Sequence, residues 1–130
     1  MVLDSFFRLA VASLFFGSLA GCSSSSSVDE SPVIRSFVLP NTTLEDVYFK
    51  LTANRPAWTI CSTPLSPQYY PGRQEFRVYY GGVSALGPSH HLGVYGTQEG
   101  QNVKVDMKVK MWTDRSARQI ENYLRTGDCS

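Results

Sequence analysis

Between Asn102 and Met111 the chain alternates without a slip. Val103, Val105, Met107, Val109 and Met111 fall on one side, and Lys104, Asp106, Lys108 and Lys110 on the other. A period of two marks a strand whose two faces meet different surroundings. The segment therefore reads as a half-buried antiparallel strand with one face on the core and one in water. Such a sheet needs an apolar layer on one side, and amphipathic helices are the simplest source.

Two segments supply them. Thr42-Thr43-Leu44-Glu45 matches the capping box, with Thr42 as N-cap and Glu45 three residues on. Leu44, Val47, Tyr48 and Leu51 then share one helical face, and Asn54 and Pro56 end the run. Near the C-terminus, Thr113 or Asp114 caps a helix whose buried stripe is Ala117, Ile120 and Leu124, and Gly127 stops it. Further strands are expected over Val33–Leu39, Ala57–Ser62, Gln74–Tyr80 and His91–Gln98, with Glu99-Gly100 turning into the alternating strand. Thr63–Arg73, with three prolines, reads as loop, and Gly81–Ser89 as a glycine-rich connection. The expectation is one α+β domain over residues 33–130. Its order is β-α-β-β-β-β-α, an antiparallel sheet of about five strands with two helices on one face.

The N-terminus has a different character. Leu9 to Gly21 carries no charge and falls short of the roughly 20 residues that span a bilayer. It ends Leu19-Ala20-Gly21-Cys22, which resembles the lipobox of bacterial lipoproteins. That resemblance implies that residues 1–21 are a cleaved signal peptide and that the Cys22 thiol carries diacylglycerol. It also implies an acylated new amino group, palmitate for example. The alternative is an ordinary secretory signal with Cys22 incidental. Ser23 after the cysteine implies export to the outer membrane, with the domain facing the periplasm. The stretch Ser23-Ser24-Ser25-Ser26-Ser27-Val28-Asp29-Glu30-Ser31-Pro32 reads as a flexible tether, making residues 22–32 the acylated cysteine and its linker.

The segment Phe37-Val38-Leu39-Pro40-Asn41-Thr42-Thr43-Leu44-Glu45-Asp46-Val47-Tyr48 is similar to one that opens many small proteobacterial lipoproteins. The resemblance implies a reduced helix-grip domain, remotely like the lipoprotein C subunit of the β-barrel assembly machinery.

Composition narrows function. A net charge of +1 gives no basic stripe for nucleic acid. With Cys22 lipidated, Cys61 and Cys129 form an even pair in an oxidising compartment and read as a disulfide, the alternative being two unpaired thiols. His90-His91 would point to opposite faces of a strand with nothing nearby to complete a shell, so solvent-exposed loop histidines and no metal are expected. Gly81–Gly87 matches neither the P-loop nor the dinucleotide fingerprint, and no nucleophile elbow is present. The expectation is a non-enzyme with no catalytic residue and no cofactor. Lys104, Lys108 and Lys110 offer a basic face for a partner or anionic head groups, or are a solvated sheet face. Tyr69 and Tyr70, in the proline-rich segment, are a candidate binding lip. These features suggest an acyl-anchored adaptor or assembly factor that binds an envelope protein. The alternative is a carrier holding a lipid or other hydrophobic ligand between the sheet and the C-terminal helix.

Overall fold

The computed structural model describes residues 28–53, 64–110 and 114–129. The expected strand Ala57–Ser62, Asn54, Pro56, Cys61, Met111 and Thr113 lie outside them, as do residues 1–27.

The order is β1 (Val33–Leu39), α1 (Leu44–Thr52), β2 (Pro64–Tyr70), β3 (Glu75–Ser84), β4 (Gly87–Glu99), β5 (Asn102–Val109) and α2 (Asp114–Thr126). The strands form one antiparallel sheet in the order β1-β5-β4-β3-β2. Both helices cover one face. Their side chains Leu44, Val47, Leu51, Ala117, Ile120, Tyr123 and Leu124 share a core with Phe37, Phe76, Val78, Leu92, Val94, Val103, Val105 and Met107. The alternation read in β5 is therefore realised, with Val103, Val105 and Met107 fully buried. α2 is fixed at the β1 edge by Arg35, which meets Glu121 at 3.3 Å and Asp114 at 3.7 Å.

Three local readings change. The N-cap of α1 is Thr43, whose hydroxyl accepts from the Asp46 N–H at 3.2 Å. Thr42 is drawn instead to the β4–β5 turn: its N–H donates to the Gln101 carbonyl, and its own carbonyl accepts from the Gln98 amide. The same Gln98 side chain accepts from the Leu44 N–H at 2.7 Å and donates to the carbonyls of Gly100 and Asn102. One half-buried amide thus supplies an orphan helix donor with its acceptor and closes the hairpin turn.

The proline-rich segment is not a loop. Pro64–Tyr70 forms β2, followed by a single 3-10 turn over Pro71–Arg73. Proline is tolerated because β2 is the sheet edge, where a missing N–H leaves no ladder bond unmade. The glycine-rich connection is likewise mostly strand. β3 continues to Ser84 and β4 begins at Gly87, with a bulge between Tyr80 and Gly81. Gly81 faces the Ser89 carbonyl so closely that an added Cβ would lie 1.7 Å from it. Only glycine permits that approach.

Candidate functional site

The sheet face away from the helices is not simply wet. On it the chain that precedes β1 is docked. Ser31 N–H donates to the Val28 carbonyl at 2.9 Å, closing a turn in which Val28 is fully buried. Asp29 Oδ1 accepts from the Tyr79 hydroxyl at 2.8 Å and from the Tyr95 hydroxyl, while Oδ2 lies 3.4 Å from Arg77. Lys108 Nζ donates to the Asp29 carbonyl at 2.7 Å and stands over the Tyr95 ring at 5.0 Å. Val28 and Asp29, read in sequence as part of the tether, therefore pack on the surface of the sheet.

Backbone pleat explains the meeting. Arg77 and Tyr79 alternate with the core residues Phe76 and Val78 on β3, and Tyr95 alternates with Val94 and Gly96 on β4. Tyr95 lies back across Gly93, where an added Cβ would be 2.6 Å from its hydroxyl. Tyr79, 1% exposed, packs edge-on against Tyr95 and against His90. Burial and the bond to Asp29 raise the Tyr79 phenol to about 12 and push Tyr95 up as well. Both remain neutral donors at any physiological pH.

His90 corrects the expectation of an exposed loop histidine. It is 9% exposed on β4, with Nε2 at 2.9 Å from Ser66 Oγ on β2. The Tyr80/Gly81 bulge turns it to the Tyr79 side. This Ser–His pair was invisible in sequence because the two positions lie on strands that only meet through β3. Among the described residues His90 Nδ1 is buried with no partner, so none of them completes a triad by orienting the ring. An unmet buried N–H is rarer than an unmet acceptor. That favours the tautomer in which Nε2–H donates to Ser66, which leaves the hydroxyl unactivated.

The other sequence candidates are dispersed. Tyr69 and Tyr70 do not form one lip. Tyr69 stacks on Tyr48 of α1 at 5.1 Å, on the helix side. Tyr70 lies under the guanidinium groups of Arg73 and Arg77, at 5.0 and 5.9 Å, with its hydroxyl on Gln68. The three lysines do not form one patch either. Lys108 is engaged by the docked turn, Lys104 sits near the far end of β5 opposite Val38 and Thr97, and Lys110 lies past the strand. Asp106, between Lys104 and Lys108, accepts from Ser36 at 2.6 Å. Cys129 is disulfide-bonded and packs against the core, while Cys22 and Cys61 lie outside the described residues. Among the described residues no group of three His, Cys, Asp or Glu could hold a metal, and no helix is long and apolar enough to cross a membrane.

Between sheet and helices the described side chains pack as one core, Phe37, Phe76, Leu92 and Met107 against Val47, Leu51, Ile120 and Leu124 among them. Clefts lie at its margins. One of about 450 Å³ separates the end of β1 from the helices, with Leu39, Val47 and Leu124 beneath Lys50 and Arg125. Comparison with protein-family models, with curated proteins and with solved structures gave no match.

Proposed function

We propose that the chain is an acyl-anchored lipoprotein of the outer membrane, held through Cys22, whose domain faces the periplasm. In this reading it works without catalysis, as an adaptor or assembly factor for an envelope protein, and Cys129 pairs with Cys61. The lipobox-like Leu19-Ala20-Gly21-Cys22 supports the anchor. One observation carries the adaptor: Val33, Ile34 and Val38 stand exposed on β1, an outermost strand of the described sheet. Such an edge accepts a further strand from a partner through main-chain hydrogen bonds. The carrier reading is supported only by the marginal cleft at Lys50 and Arg125, whose apolar floor and basic rim suit an anionic amphiphile.

Two measurements test the proposal. Wild-type protein should enter the detergent phase of Triton X-114 and Cys22→Ala should not; an aqueous wild type removes the anchor. A photo-reactive residue at Ile34 or Val38 should capture a discrete protein in intact envelopes. Recovery of lipid alone, or a stoichiometric lipid in the purified domain, would favour the carrier.

A further inference from the structure

The β3–β4 hairpin is long. Pro64 of β2 pairs with Tyr80, Val109 of β5 pairs with Leu92, and the Lys110 N–H still donates to the His91 carbonyl, so among the described residues the flanking ladders reach about the Tyr80–Leu92 rung. Beyond it Gly81–Ser84 pair only with Gly87–His90 among the described residues. At about 3.4 Å per residue this stretch of the hairpin runs about 14 Å beyond that rung. Its tip is bare and apolar: Leu86 is 96% exposed and Val83 74%. From Val78 to Gln98 there is no Asp, Glu, Lys or Arg. A tip meant only for water gains nothing from two exposed aliphatic side chains and loses nothing by carrying charge.

The position of the docked turn says what that tip can reach. Asp29 is held at Tyr79 and Tyr95, and Tyr79 lies five residues from Ser84, about 17 Å along the strand. Six peptide steps separate Cys22 from Val28, at most about 21 Å of chain. An acyl group on Cys22 and the hairpin tip therefore fall within reach of one bilayer surface. The tether would reach the opposite end of the sheet as well, but there Glu45, Asp46, Glu75 and Glu99 outnumber Arg73 and Lys104, a net acidic set that anionic lipid repels.

We propose that the tip of the β3–β4 hairpin, through Val83 and Leu86, inserts into the interfacial layer of the phospholipid bilayer that holds the acyl chains of Cys22. This rests on the anchored reading above. The contact orients the domain rather than recruiting it. Burial of one such side chain shifts a partition constant by about tenfold or more, too little for a free protein. It suffices once the anchor supplies a high local concentration. The strands then stand steeply on the membrane, and the β1 edge faces sideways into the periplasm.

The test uses the full acylated chain, reconstituted in vesicles of phosphatidylethanolamine and phosphatidylglycerol, with a dansyl-bearing amino acid at Ala85 or, as control, at Gln101. The Ala85 probe should shift to the blue, lose severalfold in iodide quenching and be quenched by nitroxide-labelled lipid; the Gln101 probe should do none of these. Combining Val83→Asp with Leu86→Asp should abolish the Ala85 signal while the melting temperature holds. Mass spectrometry of the mature N-terminal peptide reads acylation separately. Acylated protein whose Ala85 probe stays as wet as Gln101 overturns the insertion and leaves the anchor standing. Protection that appears only in native envelopes assigns the tip to a protein and also overturns it. An unacylated Cys22 removes both proposals.

Discussion

Replacing Asp29 with alanine removes the acceptor on which the docked turn converges. Two phenolic hydroxyls donate to Oδ1, and each bond to a charged acceptor contributes about 1.5–3 kcal/mol. The Asp29 side chain is 29% exposed, so the lower end applies and the pair sums to about 3 kcal/mol. The Arg77 contact at 3.4 Å, with both partners about one-third exposed, adds well under about 1 kcal/mol. Release of the turn limits the damage, because each freed residue regains on the order of 1–2 kcal/mol of backbone entropy. With the entropy regained by one loosened residue set against these losses, the net expectation for Asp29→Ala is a loss of about 1–3 kcal/mol, or about 5–15 °C in melting temperature. Urea unfolding measures the first, and exchange of the Ser31 amide, bonded to Val28, reports the turn. A double-mutant cycle with Tyr95→Phe should give a coupling above about 1 kcal/mol. A wild-type urea midpoint with Ser31 still protected would refute the reasoning, since the cluster would then contribute nothing.

Gly96→Ala would place a Cβ 2.2 Å from the buried Phe76 ring and should cost about 1–3 kcal/mol by overpacking; an unchanged urea midpoint would show that the ring gives way freely. Because the folded chain holds the Tyr79 proton up to about pH 12 and the unfolded chain releases it near 10, its contribution is complete below pH 10 and fades between the two. Melting temperature should therefore fall across that interval, less steeply in Tyr79→Phe, and equal slopes would exclude the phenol. Lys104→Glu should leave stability within about 0.5 kcal/mol. Lys108→Glu sets a carboxylate beside Asp29 and should lower the urea midpoint clearly, so equal midpoints would deny Lys108 its role at the turn.

What could be read beforehand was whatever a local pattern enforces. The Val103-to-Val109 alternation and the stripe of Ala117, Ile120 and Leu124 are each sufficient for one element, and both are present. The α1 cap slipped by a residue because Thr42 and Thr43 are both competent. Gln98, 56 positions from Thr42, claims the carbonyl of the first and leaves the second to cap. β2 was hidden by Pro64 and Pro67, whose cost depends on an edge position that only the assembled sheet defines. Asp29 was the least legible. Its neighbours Ser31 and Pro32 are those of a linker, while its partners lie 48 to 79 positions away.

The strand order also sets a sequence of events for a chain that emerges N-terminus first. Among the described strands β1 pairs only with β5, and Ser36 waits 70 positions for Asp106. Until β5 arrives β1 has no strand to pair with, whereas β3 and β4 can already pair as a local hairpin. Closure of the sheet is thus deferred to the last quarter of the chain, and non-local pairing of this kind is slow. A polypeptide with this topology stays threadable during passage through a narrow channel and locks only when almost all of it has come through.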